Sequence, residues 1–287
     1  FGGKPSDAIL TAAAMQLSEE WLLVHDDLED HSTERRSTRE EYRPTLNVKY
    51  GYELAANAGD ALQIIMWQAL GDNARLLGPA LGWKIFDKMA ETLLTTTEGQ
   101  YLELNWIREN KVCPSEAEYL AMVKRKTSTY TIIAPLQLGA LVAGQDDATL
   151  DSIALWGEPF GYAFQIWDDV LNLTVDSKIQ GKEKGGDIIE GKRTLALIHL
   201  VENAAAEERD AIRRIYGKQY DEKSRQDIGQ IIGLMEKYGS LEYARQTALD
   251  MAVKARHLFE EHTAGIQESK AKDLIRDAIG FAASRQR

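Results

Sequence analysis

Asp26 and Asp30 stand four positions apart in "WLLVHDDLEDHSTERR", residues 21 to 36, where an apolar run meets four carboxylates and then paired arginines. A helix brings positions four apart onto one face, so these two carboxylates have the spacing to hold a hard cation. Asp168 and Asp169 end a second apolar and aromatic segment, "FGYAFQIWDDVLN". A single run of this kind reads as solvated helix surface. Two runs, each followed by a cationic loop, read as a site. The loops are "RRSTREEYRPTLNVKYG", which is polar and basic, and "DSKIQGKEKGGDIIEGK", which is rich in Gly and Lys. Carboxylates from two facing helices suit Mg2+, which keeps waters and favours phosphate oxygens, so the implied ligand is a phosphate ester or diphosphate. Arg35, Arg36, Lys126, Lys182 and Lys192 would neutralise its remaining charge, the arginines as bidentate forks. Each of these cations alone reads as balance for acidic neighbours; the set does not.

Long helices must position these groups. Proline is scarce and absent from residue 160 to 287, and period-2 alternation is rare. Leu241, Ala244, Ala248, Met251, Ala255 and Leu258 trace one apolar helical stripe, with Ser240 as its expected N-cap. Ser115 with Glu118 three residues on predicts a capping box. Ser6, after Pro5, is expected to open the helix that carries the first acidic run. With no repeat, low-complexity linker or composition break, the expectation is one all-α domain over residues 1–287. That length suffices for a sizeable core, and 44% hydrophobic with 28% charged residues is ordinary for a globular protein. A net charge of −11 argues against nucleic acid or an anionic membrane as partner. The longest mostly apolar stretch, "TIIAPLQLGALVAG", is too short and interrupted for a transmembrane segment. Cys113 is the single cysteine, which excludes an internal disulfide and a cysteine-rich zinc site and fits a reducing, cytoplasmic setting. The chain opens on Phe1 rather than Met, and its natural start is expected upstream.

In these residues the chain resembles the trans-isoprenyl diphosphate synthases of the polyprenyl synthetase family. "HDDLEDHSTERR" is similar to the family's first aspartate-rich motif and arginine pair. "AGDAL", "EGQYLEL" and "KTSTYTIIAPLQLGALVAG" resemble its intermediate blocks, "FQIWDDVLN" its second aspartate-rich motif, and "GKEKGGDIIEGKRTL" its lysine-bearing loop. The matches run in family order from residue 1 to about 200.

The resemblance implies a helical bundle around a deep apolar cavity and a head-to-tail, magnesium-dependent condensation of isopentenyl diphosphate with an allylic prenyl diphosphate. It implies metal ligation by Asp26, Asp30 and Asp168. Arg35, Lys126, Thr127, Gln165, Lys182 and Lys192 would face the allylic diphosphate and Arg36 the isopentenyl diphosphate, in a homodimer. Trp21 lies about 7.5 Å back from Asp26 along the helix, at about 1.5 Å per residue, with Leu22 one turn back. By itself Trp21 reads as a core aromatic; the resemblance makes it the floor that stops elongation at about C15 to C20.

Three departures concern the isopentenyl end. A basic Gly-Gly-Lys-Arg segment before the first motif is not found, and "FGGKP" lies too close to Asp26 to be it, so the first helices of the family are expected to be missing. Glu19 stands where many members carry histidine, and Asn172 where the second motif has its last aspartate. A class I terpene cyclase shares the first motif, but "DDVLNLTVD" puts Asn172 where that class needs Ser or Thr. A non-catalytic synthase subunit would have lost more of its aspartates. His25 reads as a structural imidazole, and Trp67, Trp83, Trp106 and Trp156 as core or interface.

Overall fold

The computed structural model describes residues 1–36, 42–174 and 185–284, without the side chains of Arg36 and Tyr42. Among them, every regular element is helical except a two-stranded antiparallel ribbon. Contacts group the chain into two units, residues 1–94 with 133–153 and residues 95–132 with 154–287.

In the first unit, α1 (Pro5–Glu29) packs along α3 (Tyr52–Leu77). Pro5, not Ser6, opens α1, with Lys4 extended at the N-cap. Proline's fixed φ suits a first helical position, where its missing N–H costs nothing. Buried Asn73 Nδ2 donates to Thr11 Oγ1 at 2.9 Å, tying the two helices. Gly59 lets α3 approach His25 so closely that a Cβ there would sit 2.4 Å from the imidazole. Between these helices lie strands β1 (Glu34–Arg36) and β2 (Tyr42–Pro44) and the short α2 (Leu46–Tyr50). The start of α4 (Pro79–Arg108), α6 (Ala134–Val142) and residues 147–153 at the start of the next helix complete this unit.

The second unit takes the end of α4, then α5 (Glu116–Val123), which opens with the expected capping box of Ser115 and Glu118. A π-helical segment, Lys124–Ile133, follows. Its wide turns are admitted by two glycines: a Cβ at Gly99 would lie 2.4 Å from Lys126 N, and one at Gly161 would lie 2.2 Å from Ser128 Oγ. Such segments recur at functional sites. Helix α7 (Asp147–Thr174) carries the second acidic pair. Then come α8 (Gly186–Glu190), α9 (Leu195–Asn203), α10 (Ala206–Tyr216), α11 (Arg225–Lys237), α12 (Ser240–His262) and α13 (Lys270–Ala282).

Two expectations for α12 are corrected. Ser240 is its first residue rather than its N-cap, because Gly239 turns the chain tightly out of α11 with φ +67°, which favours glycine. Ser240 is buried instead, with Oγ 3.0 Å from His199 Nδ1. The buried stripe runs through Leu241, Ala244, Ala248, Ala252, Ala255 and Phe259, so Ala252 and Phe259 replace Met251 and Leu258. A seven-residue step drifts from a straight helix's 3.6-residue period, which moves the packed face forward.

Candidate active site

Both acidic runs occupy helix C-terminal ends, where the backbone dipole is negative, and neither helix has a basic residue in its last turn. That placement is unfavourable unless cations arrive from elsewhere in the chain. At the end of α1, Asp30 is the C-cap and donates its N–H to Asp26 C=O at 2.8 Å, so the two aspartates are one turn apart. His31 then adopts φ +56°, and Ser32 N–H closes back on Asp27 C=O at 3.0 Å, a Schellman-type stop. The reversal feeds β1, which returns Arg35 to the helix end. Its guanidinium grips Asp27, Nη2 to Oδ1 at 2.6 Å and Nε to both oxygens at 3.0 and 3.2 Å, and reaches Asp26 Oδ2 at 3.3 Å. Asp27 is buried, while Asp26 keeps part of its surface in solvent. Behind them Trp21 is buried and Leu22 half-buried, with the His25 ring edge-on to Trp21 and its Nε2 3.6 Å from Asp60.

In the second unit the π-helical segment and α7 meet through a chain of hydrogen bonds. Thr127 Oγ1 donates to Gln165 Oε1, Gln165 Nε2 to Asp169 Oδ1, and Tyr119 OH to Asp169 Oδ2, each at 2.8 Å. Asp168, next along α7, is exposed. Burial pushes the Asp169 carboxyl above its ordinary range, against the lowering effect of its two donors. Burial, and then the Asp169 charge, holds the Tyr119 phenol well above its own range, so it remains a donor. Lys126 is paired with buried Glu103. Asn172 is buried, and its Oδ1 accepts the Asp187 N–H at 3.1 Å, pinning the start of α8. After Gly191, Lys192 pairs with Glu190 at 2.6 Å. Arg193, wholly buried, anchors that turn by donating to Lys111 O at 3.1 Å and to Gly191 O.

Thus Asp26, Asp30 and Arg35 come together in the first unit, and Thr127 and Gln165 in the second. Lys182 and the Arg36 side chain lie outside the described residues. Reasoning from sequence missed Asp27, Glu103, Tyr119 and the anchoring role of Asp169. Only Asp27 left a signal there, as the partner of Asp26 ahead of an arginine pair. The donor chemistry fits magnesium: all three candidate ligands offer hard carboxylate oxygens. Among the described residues no group of three His, Cys, Asp or Glu side chains forms a preassembled metal cage. Magnesium is commonly held by one or two carboxylates together with substrate phosphates, so such a cage is not required.

The polyprenyl synthetase family profile matches residues 2–235. The geranylgeranyl diphosphate synthase of Sulfolobus acidocaldarius is 34% identical over 248 residues, which is 86% of this chain and 72% of that protein. The geranylgeranyl pyrophosphate synthetase of Pyrococcus horikoshii superposes with a TM-score of 0.83 at 32% identity, covering 99% of this chain and 81% of that one. The geranylgeranyl pyrophosphate synthase of Corynebacterium glutamicum, complexed with isoprenyl diphosphate and magnesium, gives 0.85 at 25% identity, covering 100% and 81%. The fold is therefore the all-α isoprenoid synthase fold. The chain belongs to the polyprenyl synthetase family, as a transferase of the trans-isoprenyl diphosphate synthase class. No helix among the described residues is long and apolar enough to cross a membrane.

Proposed function

We propose that this chain, acting as one catalytic domain in the cytoplasm, condenses isopentenyl diphosphate with an allylic diphosphate to a product of about C15 to C20. The observation that carries this is the Arg35 fork on Asp27 and Asp26, a cation already oriented at an acidic helix end. Asp26, Asp30 and Asp168 would hold magnesium, which when bound stabilises the charge growing on departing pyrophosphate.

The rest falls to the chain's own side chains. Arg35, Lys126, Thr127, Gln165, Lys182 and Lys192 bind the allylic diphosphate, and Arg36 the isopentenyl diphosphate. Arg35 pairs with Asp27 and Lys126 with Glu103, so each cation is oriented by a carboxylate. Exchange onto diphosphate oxygens leaves those carboxylates behind as orienting partners. The allylic carbon–oxygen bond then ionises, the double bond of isopentenyl diphosphate attacks the allylic carbon, and loss of a proton restores an alkene. Apolar surroundings keep out water that would quench the allylic cation to an alcohol.

The test is incubation with magnesium, isopentenyl diphosphate and dimethylallyl, geranyl or farnesyl diphosphate. The expected result is an elongated linear diphosphate. A cyclic hydrocarbon would make the chain a cyclase, and no product would make it a non-catalytic subunit.

A homodimer is part of this reading. Its support is the exposed apolar side chains of the first unit, Ile64 and Ile65 on α3 and Trp83 and Leu94 on α4. Exposed apolar side chains mark an interaction surface where they adjoin. Sedimentation equilibrium should give twice the chain mass; a monomer across the micromolar range would overturn it.

A further inference from the structure

We propose that Tyr119 is a positioning residue: through Asp169 it fixes the amide of Gln165, and with it the hydrogen-bond polarity of Thr127. Tyr119 thereby changes what Thr127 and Gln165 can offer the allylic diphosphate, a role that rests on the reading above. In the structure the Asp169 carboxyl accepts at both of its oxygens and donates from neither. Both Asp169 oxygens are taken, Oδ2 by Tyr119 OH and Oδ1 by the Gln165 amide, each at 2.8 Å. The Gln165 amide must therefore turn its NH2 to Asp169, since the opposite orientation would set two acceptors against each other. Its carbonyl oxygen is left facing Thr127 Oγ1, also at 2.8 Å. Thr127 has one hydroxyl proton, and that contact uses it.

Two consequences follow for the substrate end. Thr127 presents only lone pairs, so it meets the diphosphate through a shared donor such as water or a lysine ammonium. The second amide hydrogen of Gln165 is the donor left for an anionic ligand. Tyr119 is 1% exposed and Asp169 8%, so no solvent competes for the relay's inner end. Its three links join α5, α7 and the π-helical segment, whose close approach depends on Gly161 against Ser128. A purely structural Tyr–Asp tie between α5 and α7 would also be buried, but it would carry no preference between the two substrates.

Steady-state kinetics of Tyr119→Phe separates the two roles, with geranyl diphosphate varied at saturating isopentenyl diphosphate and then the reverse. Without the Tyr119 donor the Asp169 carboxyl is free to rotate away from Gln165, whose amide then loses its fixed orientation. The geranyl diphosphate KM is expected to rise about five- to tenfold, with the isopentenyl diphosphate KM and kcat within about twofold. A fall in kcat with both KM values unchanged would mark a loss of folded enzyme and overturn the proposal, as would unchanged kinetics or equal shifts in both KM values. If Tyr119→Phe does not fold, Asp169→Asn carries the same test. Asparagine keeps the shape and an acceptor for Tyr119 but turns its NH2 toward Gln165, flipping the relay, so the same selective rise in KM is expected. An inactive wild-type protein would instead overturn the activity reading, independently of the relay.

Discussion

Asp168→Ala is expected to lower turnover about a thousandfold, the scale of several kcal/mol of lost charge stabilisation, while the helical circular dichroism stays unchanged. The side chain is exposed, so its removal opens no cavity. Asp26→Ala should do the same. It releases the longer Arg35 contact, at 3.3 Å, and leaves the 2.6 Å contact to Asp27, so the ribbon stays anchored. If both aspartates serve one diphosphate, the double variant should be little worse than the poorer single one, because residues acting as a unit are not additive. Additional magnesium should recover part of the rate in either single variant. Near-normal turnover in a folded single variant would reject the metal assignment. Independent, multiplying losses would reject the idea that the two acidic runs share a substrate.

Trp21→Ala should act on both stability and product. Trp21 is 7% exposed, and truncating a buried tryptophan to alanine costs about 3–5 kcal/mol in lost burial and residual cavity. Part of that space is bounded by the His25 ring, edge-on at a centroid distance of 6.1 Å and packed close against Gly59. The imidazole is thus poorly able to collapse into the gap. As the proposed floor, Trp21 limits how many isoprene units can be buried, so its removal should shift products to longer chains by at least one unit. Trp21→Phe, which leaves a smaller gap, should give an intermediate shift with less loss of stability. Chromatography of dephosphorylated products under excess isopentenyl diphosphate reads the outcome. Identical length distributions for wild type and both variants would mean that another element stops the chain.

Much of this protein was legible from local order alone. Helical periodicity, the Ser115–Glu118 capping box and two acidic helix ends followed by cationic loops depend on residues within a few positions of one another. Backbone geometry fixes what such neighbours can do. The ordered series of motifs pointed to the family that the comparisons then showed. What local order left open was which of two adjacent aspartates turns inward. Neighbouring helix positions point about 100° apart, and only the partner helix decides which is buried. Packing chose Asp27 over Asp26 and Asp169 over Asp168. It also made contacts across 23, 38 and 50 residues, Lys126 to Glu103, Thr127 to Gln165 and Tyr119 to Asp169. No periodicity encodes such pairs, because each needs two helices brought to one register. The π-helical segment is of the same kind: its wide turns fit only where Gly99 and Gly161, far away in sequence, bring bare backbone against it.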